Sequence, residues 1–156
     1  MSTIEITIKD ALRAYNELAS VKLTKFDKQL RKAAVSNFVE LSKISKENQA
    51  YQEALKDKIF EDMKDEITVV SELRSRMSAA KTREELAEIN RQIVCEHSEF
   101  LKAEEEYGNL LKAKESQTVE VALETVDSDK WIECLISAEI DFTPANIAAL
   151  NCMFNK

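Results

Sequence analysis

Apolar and polar residues alternate at the start of the chain, with Ile4, Ile6 and Ile8 separated by Glu5 and Thr7. That alternation predicts a short half-buried strand over 4–8. The spacing then becomes helical, because Ile8, Leu12, Tyr15, Leu18 and Ala19 fall on one face over 8–20, and Thr7 with Asp10 supplies a start signal. Further on, Leu30, Ala34, Leu41, Ile44, Tyr51 and Leu55 recur in steps of three and four, with Asn37 and Asn48 in two seam positions. This is a heptad pattern with polar interruptions. The stripe then drifts through Ile59, Met63, Ile67, Val70, Leu73 and Met77, so its register departs from a strict coiled coil. Together these positions predict a long helix over 25–77, opened by Thr24 and Asp27 and bent or broken between residues 61 and 70.

The second half repeats the theme in reverse. Thr82 can cap a helix while Glu85 reaches back to it, and Leu86, Ile89, Ile93, Phe100, Ala103, Tyr107 and Leu110 then keep one seam over 82–114. Gly108 falls near the end of that helix, as a terminal break or a weak spot. Two long helices joined by a few polar residues bury their stripes most economically against each other, 27–77 against 84–112. Val119, Val121 and Leu123 alternate with Glu120, Ala122 and Glu124, a strand over 118–126 that can partner the first one. Asp127 or Ser128 can cap a short helix over 128–137 carrying Trp131, Leu135 and Ile136, and Thr143-Pro144 opens another over 144–154. The expected fold is mainly α, in a single domain 1–156. It is a long, coiled-coil-like antiparallel helical hairpin, with a small two-stranded sheet formed by the N-terminal and C-terminal segments plus short terminal helices.

Composition sharpens this. A 156-residue chain with one Gly and one Pro has few tight turns to spend on sheets. Its single glycine cannot build a phosphate-cradling loop or a dinucleotide fingerprint, which excludes nucleotide enzymes of those classes. No apolar run reaches membrane-spanning length, and Met1 to Glu5 carries neither a basic region nor an apolar signal core, so a cytoplasmic protein without membrane partners is expected. Three widely spaced cysteines, Cys95, Cys134 and Cys152, fit reduced thiols acting as small hydrophobes.

Chemistry finds few candidates. His97 is the sole histidine, Cys95 lies about 200° around the helix from it, and its helical neighbours Ile93, Val94, Phe100 and Leu101 are apolar. Neither a helical His pair nor a Glu-x-x-His metal motif is present, so no catalytic residue, metal site or cofactor is assigned. Glu104-Glu105-Glu106 reads as a solvated helix face.

Charge is more informative. The chain carries a net charge of -7, yet residues 9–46 hold nine basic against four acidic side chains while residues 115–156 hold two against eight. Lys22, Lys25, Lys28, Arg31 and Lys32 form a basic face in which Lys25, Lys28 and Lys32 share one side of the expected helix. That face can pair with an acidic partner surface or contact phosphates, although Phe26 is the only aromatic beside it. The drifting stripe, represented by Ile59, Phe60, Met63 and Val70, is a second candidate interaction surface, toward another protein or toward a copy in a homodimer or higher homo-oligomer.

The layout also resembles a known group. Ile8-Lys9-Asp10-Ala11-Leu12 leading to Leu18, the basic entry Lys22-Leu23, a charged hairpin, and the ending Phe142-Thr143-Pro144-Ala145-Asn146-Ile147-Ala148-Ala149-Leu150 look like a family of small uncharacterised helical proteins encoded by tailed phages and prophages. The likeness is looser over 119–126 and around Trp131. It implies viral origin, residence in the host cytoplasm or association with a virion, and an interaction role, and it carries over no catalytic residue. The expected function is therefore a non-enzymatic protein–protein interaction or assembly protein that acts by surface recognition or modulates a host protein. The alternative is a nucleic-acid-binding accessory protein using Lys22 to Lys32.

Overall fold

Thr7 ends a strand and starts a helix in a single residue: its Oγ1 accepts from the Asp10 amide at 3.1 Å, and the Ile8 amide donates to the Gln117 carbonyl at 2.9 Å. A computed structural model describes residues 1–155. In chain order the elements are β1 (Ser2–Thr7), α1 (Ile8–Ser20), α2 (Lys28–Ile59), α3 (Lys64–Ala79), α4 (Arg83–Glu96), α5 (Ser98–Glu115), β2 (Thr118–Leu123), α6 (Ser128–Ser137) and α7 (Pro144–Ala148), closed by a 3₁₀ turn at Asn151–Met153. The chain is mainly helical, with a small two-stranded antiparallel sheet that sets Ile4 opposite Val121 and Ile6 opposite Val119.

The chain divides into two compact units although the sequence shows no boundary, because both crossings lie inside helices, α2 and α5. The first unit comprises residues 1–50 together with those from 113 onward. Its core gathers around Trp131, which is fully buried, edge-on to Phe26 at 4.8 Å and tilted against Phe154 at 6.4 Å. Leu30, Ala34 and Leu41 bring the seam of α2 to this core, so the heptad stripe is buried where the pattern placed it. Asn37, in the same stripe, is wholly buried and bonds the backbone just beyond β2, with Nδ2 donating to the Glu124 carbonyl at 2.9 Å.

The second unit, Tyr51–Lys112, has its own core of Phe60, Val70, Leu73, Ile89, Ile93, Phe100 and Ala103. Here α3 and α4 pack together across the short connection 80–82. The helix expected over 25–77, with its bend or break between 61 and 70, is two helices separated at residues 60–63. A continuous helix would stack Glu61 over Asp65 and Asp62 over Glu66, like charges one turn apart, whereas a new start at Lys64 places Asp65 and Glu66 in the first turn, where the helix dipole favours them. Phe60 turns inward at this break, 5.6 Å from the Phe100 ring and 5.7 Å from that of Tyr107.

The expected 82–114 helix is also two helices, interrupted at His97, whose backbone leaves the helical region between α4 and α5. Its amide still reaches the Ile93 carbonyl at 3.0 Å and its carbonyl accepts from Leu101 at 3.1 Å, so His97 closes the last turn of α4 and opens the first of α5. Thr82 caps α4 through the Glu85 amide at 3.1 Å, but the Glu85 carboxylate reaches Lys81 rather than Thr82. The expected 144–154 helix stops at Ala148, since Phe154 is drawn into a bridge with Val126 and the Asn155 amide donates to the Val126 carbonyl at 2.9 Å. The sheet is shorter at its distal end than expected, with β2 stopping at Leu123.

Gly108 does not end a helix. It lies inside α5, and a Cβ added there would meet nothing within 4 Å. Gly108→Ala is therefore expected to stabilise the protein by about 0.5–1 kcal/mol through reduced unfolded-state freedom. Urea denaturation followed by circular dichroism checks this; a variant no more stable than the parent contradicts it.

Candidate functional site

Asp27 decides the geometry of the basic cluster. Its Oδ1 accepts from the amides of Gln29 and Leu30, both at 3.0 Å, and so opens α2 at Lys28. Lys22 and Lys25 consequently lie in the connection before the helix. The expectation that Lys25 shares a helical face with Lys28 and Lys32 is corrected: only Lys28, Arg31 and Lys32 belong to α2. All five cations are exposed, and among the described residues none of them forms an ion pair. Lys28, Arg31 and Lys32 stand at the positive end of the helix dipole, where the Asp27 carboxylate on the first amides offsets their charge. Phe26 offers no stacking surface beside them, being only 3% exposed within the core.

Opposite the buried stripe, α2 turns a different face to solvent. Val35 and Val39, one turn apart, are 53% and 49% exposed. Helical geometry aligns them with Lys28 and Lys32 on one side and with Lys43 and Lys46 on the other, all exposed. Glu40 flanks this face, paired with Lys43 at 2.7 Å.

The apolar stripe behaves otherwise. Phe60 is 8% exposed and Val70 1%, while Ile59 and Met63 are half-buried against the same core. As an interaction surface it is corrected by its own packing: Phe60 and Val70 are interior to the second unit and cannot reach a partner. Leu86 and Leu110, expected in a seam, are instead exposed.

Titratable groups are held in structural roles. His97 Nδ1 lies 3.4 Å from the Glu66 carboxylate, linking the α4–α5 joint to the start of α3. Arg74 of α3 grips Glu104 of α5 with two bonds of 2.6 and 2.8 Å, which raises the guanidinium pKa further above its ordinary range. No group of three or more His, Cys, Asp or Glu side chains suited to a metal ion occurs among the described residues, and no described helix is long and apolar enough to cross a membrane.

A groove of about 920 Å³ runs between α1 and the C-terminal segment, lined by Asp10, Arg13, Asn16 and Glu17 and floored by Ala145, Ala148, Ala149 and Cys152. Asn146 Nδ2 donates to Glu17 at 3.0 Å and ties its two walls together. Cys152 is the one thiol in this groove, and burial pushes its pKa from 9.0 up to about 11, aided by the charge of Asp10. It stays protonated at neutral pH and is a poor nucleophile. Iodoacetamide at pH 8 is therefore expected to alkylate the exposed Cys95 well before Cys152, as peptide mass mapping can read; first modification at Cys152 would show an activated thiol. Because the unfolded thiol ionises first, this group stabilises the fold below pH 9.0 and ceases to do so as pH rises toward about 11.

No family model, curated protein or solved structure matches this chain. The feature that the sequence reading passed over is the pair Val35 and Val39. Its signal is plain on a helical wheel: two β-branched apolar residues sit opposite Leu30, Ala34 and Leu41, where a solvated face should be polar.

Proposed function

We propose that the protein is a non-enzymatic protein–protein interaction or assembly protein that acts by surface recognition, either as a component of a larger complex or as a modulator of a host protein. The observation that carries this reading is the outer face of α2, where two half-exposed valines lie among lysines in a chain of net charge -7. Aliphatic side chains left in water beside a coherent charge pattern are what a complementary protein surface covers. The likeness of the terminal segments to small helical proteins of tailed phages supports the same class and makes viral origin part of the proposal.

The long antiparallel hairpin also belongs to this proposal. It is supported by the packing of α3 on α4 across their short connection. A nucleic-acid reading of Lys22 to Lys32 is the weaker one, since Phe26 is committed to the core and leaves the cluster without a base-stacking platform.

Size-exclusion chromatography with light scattering and dual-wavelength absorbance, on protein purified at low salt, tests the reading. The expected result is a defined mass free of nucleic acid. A nucleic-acid signal that co-elutes, is stripped by salt and is lost on charge reversal at Lys25, Lys28 and Lys32 would replace it with the alternative.

A further inference from the structure

The outer face of α2 has a second property beyond its exposed valines. From Lys28 to Ala50 no carboxylate falls on its central line: Lys28 and Lys32 precede Val35 and Val39, and Lys43 and Lys46 follow them. The inner line of the same helix is filled by Leu30, Ala34, Asn37 and Leu41, all buried, so the helix is fixed in orientation and its outer line is held facing solvent. The carboxylates of this stretch, Glu40 and Glu47, lie to one flank, and Glu40 is occupied by Lys43.

From this we infer that the outer face of α2 docks an acidic amphipathic helix, one that sets aliphatic side chains against Val35 and Val39 and flanks them with Asp or Glu facing Lys28, Lys32, Lys43 and Lys46. The inference rests on the protein-interaction reading above and names the chemistry of its partner. Charge complementarity selects the occupant. A second copy meeting this face symmetrically would set lysine against lysine, which is repulsive at every turn. A polyanion would satisfy the lysines but leave two valines covering nothing, with no aromatic side chain on the face to stack a base. A helix suits the dimensions, because apolar residues three and four apart on a partner match a valine pair one turn apart, and lysine stems extend the apolar contact while their ammonium groups reach the flanking carboxylates.

The probe is a three-heptad synthetic peptide with Leu at the a and d positions and Glu at e and g, compared with the same peptide carrying Lys at e and g, and with an oligothymidylate. Amide shifts of the isotope-labelled full chain locate each contact, and fluorescence anisotropy gives its affinity. The expected result is that the acidic peptide alone perturbs the amides of residues 28–46, with affinity that falls as salt rises. Both the V35D/V39D and the K32E/K43E variants, whose changes are confined to exposed side chains, are expected to weaken it by about tenfold or more.

Binding of the acidic peptide elsewhere overturns the inference while leaving the interaction reading intact. So does equal binding of both peptides, or affinity indifferent to V35D/V39D. Failure of the acidic peptide to bind at all also overturns it, and selective binding of oligothymidylate to residues 28–46 overturns both.

Discussion

Trp131→Ala is expected to cost the protein about 3–5 kcal/mol, the range for removing a large buried aromatic from a packed core. The side chain has no exposed surface and meets Phe26 edge-on and Phe154 at a tilt, so the truncation opens a cavity bounded by rings that cannot all close into it. Against a typical domain stability of about 5–15 kcal/mol, that is a large fraction of the whole. Phe26 precedes α2, Trp131 lies in α6 and Phe154 follows the last turn, so one substitution loosens three separate stretches of the first unit. Since Trp131 is the only tryptophan, unfolding must be followed by circular dichroism. Trp131→Phe should recover much of the loss by keeping an aromatic partner for Phe26. A loss below about 1 kcal/mol for the alanine variant would mean that this core does not close around Trp131.

Much of the local structure was legible because its causes are local. Alternation at Ile4 and Ile6 and at Val119 and Val121 needs only the pleat to put those side chains on one face, and the two strands do pair. Thr82 and Thr143 cap helices because a hydroxyl can satisfy an amide three residues on whatever surrounds it, and Asp127 does the same for α6. The breaks in the long helices were legible unevenly: one is expected between 61 and 70, the other carries no signal. Neither break contains Gly or Pro; one depends on how like charges stack around Glu61 to Glu66 and on where Phe60 finds Phe100, the other on a single backbone departure at His97. Such breaks are tertiary choices, and a stripe of apolar positions reads the same through a break as through a continuous turn. The candidate surface was half legible. Lysine positions show in any sequence, but exposure does not, so Phe60 and Val70 read as surface when they are core, while Val35 and Val39 drew no attention because the seam opposite them was more regular.

Asn37 shows how one residue can fit a familiar pattern and serve another purpose. In a heptad seam an asparagine reads as a device for setting register between helices. Here it is fully buried and bonds a strand end: Nδ2 donates to the Glu124 carbonyl at 2.9 Å, and Oδ1 accepts from the Glu124 amide at 2.6 Å. The ladder with β1 ends at Leu123, so the amide side chain takes over for the next residue the role a neighbouring strand would play. Asn37→Leu keeps the volume and leaves both Glu124 backbone groups without partners. The expected loss is about 2–4 kcal/mol, since each unpaired group in a partly buried site costs about 1–3 kcal/mol and the added apolar contact offsets part of it. Hydrogen exchange distinguishes this from simple mispacking, because the Glu124 amide should lose its protection before its neighbours do. Asn37→Asp adds a test with a sign. Its carboxylate can still accept from the Glu124 amide but faces the Glu124 carbonyl with no proton to give, so burial and that carbonyl raise its pKa in the folded state. The variant should therefore be closest to the parent below the ordinary carboxylate range and lose stability as pH rises through the raised value. Stability that stays flat with pH would show that residue 37 does not hold this strand end.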